Sequence, residues 1–390
     1  MQQSYSSTNQ TKAQANSLSI AIAGAGLLGR LLAWRLSQLG YHVEIFEAGS
    51  FSKPASAAHT AAAMISPLSE VVISDRSIYD LGLQSLEIWP QYVDDLNNSL
   101  QNQPTKKAIQ YSSNGSIIVA HPQDHSELRQ FKNDLQIKLG NEDNSVWLDN
   151  IALTKKEPNL DHFQEGLFLP NEAYLDNRQL LKNLHQVILN SGVVCHEHSP
   201  IGLEKKNLSF STMQTLNKFD WVFDCRGLGR KECEPNLRGV RGEIMWVETK
   251  EVQFSHPIRL CHPRYKLYVV PKPNHQFIIG ATEIESEDTS PISIQSTLEL
   301  SSALYTINPA FAEARVIETD VNLRPAYLDN LPKIIYTSNE QCENIISING
   351  LYRHGYLLAP ALIEQSLQLF QQTTNNKQQT TNNKQQTIET

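Results

Sequence analysis

Apolar positions along the chain come in short solid runs separated by helical stripes. The run Ser19-Ile-Ala-Ile-Ala23 feeds the turn Gly24-Ala-Gly26-Leu27-Leu28-Gly29, a helical pattern follows, and a second run, Val43-Glu-Ile-Phe-Glu47, closes a β–α–β unit. Between Ser77 and Asn97, Leu81, Leu83, Leu86, Ile88 and Trp89 recur at helical spacing. Asp176 stands where a helix cap belongs, ahead of Leu180, Leu181, Leu184, Val187 and Ile188 on one face, and Gly192 ends that helix before Val193-Val-Cys195. A further strand, Trp221-Val-Phe-Asp-Cys225, runs into Arg226-Gly227-Leu-Gly229. From Arg238 to Leu323 the texture changes. Glu243-Ile-Met-Trp-Val247, Lys266-Leu-Tyr-Val-Val270 and Gln276-Phe-Ile-Ile-Gly280 are short runs between turn residues, as in an antiparallel sheet. A last strand, Ile345-Ile-Ser-Ile-Asn-Gly350, leads through a glycine turn to a helix over about Ala361 to Phe370.

The first unit has the spacing of a dinucleotide site. Gly24 permits the tight turn out of the strand, Gly26 lets bare backbone approach a pyrophosphate, and Gly29 allows the helix to lie close against the sheet. Phosphates then meet unpaired N–H groups at the positive end of a helix. Glu47 is placed to accept both hydroxyls of the adenosine ribose, and its charge disfavours a 2′-phosphate. The small-residue run Ala55 to Pro67, holding Thr60, Ala61, Ala62 and Met64, reads either as a helix start packed on the sheet or as a segment lying along a flat ring.

At 390 residues the chain has room for two cores. Its net charge of -8 gives no electrostatic reason to approach nucleic acid or an anionic membrane. The five cysteines show no CxxC spacing and no histidine clustering, so reduced thiols in a cytoplasmic protein are expected, with neither disulfides nor a metal site. No segment approaches the length of a membrane span. Residues 1–17 are polar, and residues 371–390 repeat a Gln-Gln-Thr-Thr-Asn-Asn-Lys unit. Both are expected to be disordered, because polar tracts bury too little surface to offset their ordering entropy.

Taken together, these motifs resemble the D-amino-acid oxidase family of flavoproteins, and within it the glycine oxidases of thiamine biosynthesis. Besides the Gly24–Glu47 unit, Ala61-Ala-Ala-Met64 is similar to the segment beside the isoalloxazine, and Arg241-Gly-Glu243 to the start of the substrate-domain sheet. Leu267-Tyr268-Val-Val-Pro271 with Gly280-Ala-Thr282 is similar to the strands over the flavin face, and Asn322-Leu-Arg324-Pro325 to the carboxylate-binding turn. Tyr352-Arg353-His354-Gly355 through Pro360 is similar to the terminal flavin signature. The fold class implied is α/β plus α+β: a glutathione-reductase-like, Rossmann-type FAD-binding domain (18–85, 168–235 and 336–370) and a substrate domain on a mostly antiparallel sheet (86–167 and 236–335).

The cofactor implied is noncovalent FAD, since Cys342 precedes the last strand rather than occupying a binding loop. Its expected contacts are Gly24, Gly26, Leu27, Leu28, Gly29, Glu47, Thr60, Ala61, Ala62, Met64, Cys225, Gly227, Arg353, His354, Gly355, Tyr356 and Leu357. The resemblance implies oxidation of a small amino-acid substrate, with hydride passing from the α-carbon to flavin N5 and dioxygen as acceptor. Arg324 would hold the α-carboxylate with two parallel N–H bonds, Tyr268 would donate to it, and Arg353 would lie near the site or the flavin edge. Each has an ordinary alternative: a surface arginine in a turn, a half-buried packing tyrosine, and a guanidinium that merely holds a loop. His354 reads as a loop residue rather than an acid–base group. Other functional readings are a dehydrogenase passing electrons to a quinone or carrier, and a flavoprotein modifying a macromolecular partner. The oligomeric state is open, a homo-oligomer included.

Overall fold

The computed structural model describes residues 18–101, 107–201, 218–263, 266–339 and 342–388; the expectation for residues 1–17 falls outside them. Two sheets organise the described residues. The first has the strand order Lys333–Asn339, Cys342–Asn349, Trp221–Asp224, Ser19–Ala23, His42–Phe46 and Val194–His196. Its neighbours are parallel except for Lys333–Asn339, which runs antiparallel at one edge. Cys342 is therefore the first residue of the last strand instead of preceding it. The helices Leu27–Gln38 and Asn177–Asn190 pack together beside this sheet, the second capped as expected by the Asp176 side chain.

The second sheet has eight strands, in the order Arg315–Ala326, Arg238–Glu248, Gln276–Gly280, Lys266–Lys272, Ile258–Cys261, Ser116–Ala120, Glu165–Leu169 and Val146–Asp149. All described pairings are antiparallel except that of Ser116–Ala120 with Ile258–Cys261. Its own core includes Met245, Phe254, Val269, Phe277, Leu300 and Phe311. A small sheet of Met64–Ile65, Ala173–Leu175 and Tyr111–Ser112 completes the strands.

Four expectations change. First, the helix Arg76–Ser99, with Leu100 and Ile109, belongs to the nucleotide-domain core, where Trp89, Tyr92, Val93, Leu96, Leu100 and Ile109 are buried with Ile20 and Phe223. Only from Ser116 does the chain join the second sheet. Second, of Leu81, Leu83, Leu86, Ile88 and Trp89 only Trp89 is fully buried and the other four are partly so, while the fully buried face of that helix also takes Ile78, Gly82 and Ser85. Gly82 is needed there because a Cβ would come within 2.7 Å of Leu357 Cδ1.

Third, the last helix begins at Gly355, six residues ahead of the expected start, with Pro360 inside it. Proline cannot donate to the carbonyl four residues back. The Trp89 indole N–H fills that gap, donating to the Tyr356 carbonyl at 2.8 Å, and the Ala361 N–H turns to Ser85 Oγ at 3.3 Å. Fourth, the polar tail continues this helix to Ile388 instead of leaving it. Once the buried turns up to Phe370 have met the nucleation cost, a stretch without Gly or Pro propagates at little expense per residue.

Candidate active site

The glycine turn is tied down from several sides. The Gly24 N–H donates to the Phe46 carbonyl at 2.8 Å, and Gly24 adopts φ +93°, where a Cβ would lie 2.8 Å from the Cys225 carbonyl oxygen. Gly29 acts differently from expectation. A side chain there would overlap the Gly24 carbonyl oxygen, so this glycine lets the helix close on its own turn rather than on the sheet. Gly26 has open space, its nearest prospective contact being Ser56 Cβ at 3.6 Å. Glu47 accepts the Ala25 N–H on Oε2 (2.7 Å) and the Gly49 N–H on Oε1 (3.0 Å), so it orders the turn; remaining lone pairs are available to a ribose. Buried Arg30, absent from the expected set, pins the same turn through Nε to the Ala25 carbonyl (2.8 Å) and Nη2 to that of Phe51 (2.9 Å).

One continuous cavity of about 1400 Å³ runs from this turn to the inner face of the second sheet. It gathers Gly24, Gly26, Leu27, Leu28 and Glu47 at one end, then Thr60, Ala61, Ala62 and Met64, then Cys225 and Gly227, and finally Arg353, His354, Gly355, Tyr356 and Leu357. Tyr268 and Arg324 line it too; of the expected residues only Gly29 stands behind the wall. The volume exceeds that of an ordinary small-molecule pocket, about 300–1,000 Å³, and suits an extended dinucleotide with a small second ligand. Ser56 Oγ, Ser66 Oγ and His354 Nδ1, all from residues lining the cavity, are buried without hydrogen-bond partners, which a polar cofactor supplies. Ala63, also on the wall, holds φ +56°, bending the small-residue segment along the cavity.

Arg324 lies in the long strand Arg315–Ala326, not in a turn. Its guanidinium rests over Gly242, with Cζ 2.5 Å from where a Cβ would be, and donates to the carbonyls of Arg241 (3.2 Å) and Thr282 (3.0 Å). Among the described ion pairs none involves Arg324. Tyr268, half-buried on the strand Lys266–Lys272, has its phenol pushed up by burial, against the pull of Arg324, Arg259 and Arg353 nearby.

Arg353, by contrast, is already paired: Nε with Glu70 Oε2 at 2.9 Å and Nη1 with Glu283 Oε2 at 2.7 Å. Buried His354 bonds Glu70 Oε2 through Nε2 at 3.0 Å, as a loop residue. Burial works against ionisation of Glu70, yet Arg353, His354 and Arg259 hold its carboxyl well below the usual range. This cluster joins residues far apart in the chain. Glu70, Arg259 and Glu283 carry no local motif that marks them.

Behind the small-residue segment, buried Lys272 donates to the carbonyls of Ala62 and Leu175, both at 2.7 Å. Burial pulls its ammonium down to about 7. In the unfolded chain a lysine titrates near about 10.4. Between these values the unfolded chain binds more protons, so stability rises as pH increases from about 7 to about 10 and levels off beyond. Urea denaturation across that range is expected to show this rise in the native protein and to lose it in Lys272→Met; an unchanged slope in the variant would refute the assignment.

A sheet with a glycine turn, an acidic strand end and a second antiparallel domain closing over a shared cavity defines a dinucleotide-dependent oxidoreductase. Residues 19–364 match the FAD dependent oxidoreductase (DAO) family, and the chain belongs to it; FAD is its cofactor. The chain is 36% identical over 349 residues to a putative thiamine biosynthesis oxidoreductase ThiO of Rhizobium etli, covering 88% of this chain and 93% of that one. Glycine oxidase from Bacillus cereus has a similar fold, with TM-score 0.73 at 21% identity over 92% of this chain and 96% of that one. Glycine oxidase from Geobacillus kaustophilus superposes equally well, with TM-score 0.73 at 20% identity over 90% and 95%. No helix among the described residues is long and apolar enough to cross a membrane.

Proposed function

We propose that this protein oxidises glycine or a similarly small amino acid to the imino acid, in service of thiamine biosynthesis. The observation that carries this reading is Arg324, a cavity-facing guanidinium without a described acidic partner, near enough to Tyr268 for its charge to act on the phenol. A half-buried cation in a cavity wall without an acidic partner calls for an anion, and two parallel N–H donors match a carboxylate. The relative named for thiamine biosynthesis supports the pathway, and the glycine oxidase folds are consistent with the substrate class.

FAD, when bound, would supply the electron-accepting chemistry: a two-electron oxidation of the substrate at its α-carbon, with dioxygen as the final acceptor and peroxide as the product. The protein groups bind and orient. Arg324 fixes the carboxylate, Tyr268 donates to the same group, and the direction of the Cα–H bond follows from that anchorage. Ala61, Ala62 and Met64 provide a wall of low relief that leaves space for a flat ring. Arg353, bound by two carboxylates, holds the loop that carries His354 and Gly355 rather than taking the substrate. No side chain is assigned as a base, because a neutral amine needs none.

Purified protein is expected to yield peroxide with glycine, sarcosine or D-alanine. Failure of all three to bleach the flavin anaerobically would overturn the proposal, whereas fast bleaching with slow recolouring in air would replace dioxygen with another acceptor.

A further inference from the structure

The wall around Arg324 holds a charge that the proposed reaction has not yet used. The Ile284 N–H donates to the Arg241 carbonyl at 3.0 Å, the Arg241 N–H returns to the Ile284 carbonyl at 2.9 Å, and the Thr282 N–H donates to the Glu243 carbonyl at 3.2 Å. This antiparallel register sets Glu283 directly opposite Gly242. Side chains so paired leave the same face, with Cβ atoms about 4.5–5.5 Å apart. Gly242 has no side chain, and its place is filled by the Arg324 guanidinium. Arg324 and Glu283 thus emerge side by side on one patch of cavity wall, yet no ion pair between them is among those described.

Glu283 points instead to Tyr352, whose hydroxyl donates to Oε1 at 2.6 Å, and to Arg353, whose Nη1 donates to Oε2 at 2.7 Å. Each oxygen takes one such donor and keeps acceptor capacity. The side chain is about half exposed (49%), so these lone pairs are open to the cavity. The other cavity-facing carboxylate of the cluster differs: Glu70 is buried among Arg353, Arg259 and His354 and has no such room.

We propose that Glu283 receives the ammonium group of the substrate while Arg324 receives its carboxylate; the ammonium gives one proton to water on the exposed side of Glu283, and the resulting neutral amine is the form that loses hydride. The assignment rests on the amino-acid oxidase reading and deepens it: the pocket selects molecules that carry both charges on one carbon. Two anchors on adjacent substituents also fix rotation about the Cα–carboxylate bond, which one anchor leaves free. Tyr352 and Arg353 then act as positioning residues, keeping Glu283 turned away from Arg324 so that substrate enters between two charges that do not neutralise each other.

The test compares glycine with acetate, which retains the carboxylate and lacks the amine, on FAD-loaded protein at neutral pH. Glycine affinity is read from the concentration dependence of anaerobic flavin reduction, and acetate affinity from perturbation of the flavin spectrum. Glu283→Gln is expected to weaken glycine at least tenfold while acetate binds as before or more tightly, since an anion has been removed beside it. Glu283→Asp, which keeps the charge, is expected to restore part of the glycine affinity. Parallel weakening of both ligands, or no change in either, overturns the assignment. If the unaltered protein is reduced by none of glycine, sarcosine and D-alanine, the oxidase reading itself falls and takes this one with it; if it is reduced and the variant discriminates equally well, only the role of Glu283 is lost.

Discussion

Arg324→Ala is expected to lower kcat/KM for glycine by about a hundredfold or more while the protein remains yellow. Truncating one member of an enclosed, hydrogen-bonded charge pair costs roughly 2–5 kcal/mol, and about 1.4 kcal/mol is tenfold in rate. The loss is confined to substrate because Arg324 donates only to the carbonyls of Arg241 and Thr282 among the described hydrogen bonds, and no cofactor-binding segment depends on it. Arg324→Lys keeps the charge and gives up the paired donors, so an intermediate value is expected. Stopped-flow reduction at varied glycine concentration measures both variants. An unaltered kcat/KM in the alanine variant would return Arg324 to the role of a strand residue with an incidental charge.

The second large effect belongs to Gly29→Ala, which is expected to give protein without flavin colour and with little folded material. The added methyl overlaps the Gly24 carbonyl oxygen. Gly24 cannot yield, since it is held at φ +93° between the Phe46 carbonyl and the end of the strand Trp221–Asp224. Overpacking of this kind costs about 3 kcal/mol or more when backbone faces backbone. Gly26→Ala makes the informative contrast. Its methyl fits, with nothing nearer than Ser56 Cβ, yet it occupies the approach to the phosphates. A near-native thermal transition with lost flavin binding is expected there, and Gly29→Ala should lose both. Visible absorbance and circular dichroism on the same preparations decide the matter; a yellow, stable Gly29→Ala protein would contradict the packing described.

The parts of this site that the sequence makes legible are those built from neighbours in the chain. The Gly24–Glu47 unit, the Ala61–Met64 segment and the Arg353–Leu357 loop are each a local pattern with a local physical cause, and all reach one cavity. The Glu70–Arg353–Glu283 cluster was invisible because Glu70 and Arg353 lie more than 200 residues apart and neither carboxylate sits in a motif, although Arg353 does.

Elsewhere a correct local rule met a different context. Asn322 and Pro325 suggest a turn, but Arg315–Ala326 lies at the edge of its sheet, where a proline costs no ladder bond on the open side. Gly82 and Ser85 escaped notice as core positions for the opposite reason. Small residues carry almost no hydrophobic signal, although here they are buried because another helix approaches closely.

The missing side chain at Gly242 leaves Arg324 its berth. A methyl group there would evict the guanidinium, a flexible tip, while sparing the backbone. Selectivity in this fold is therefore exposed to change from a position that offers the ligand no side chain. A survey of variants limited to side chains that could touch the ligand would overlook the place where a single methyl has great leverage.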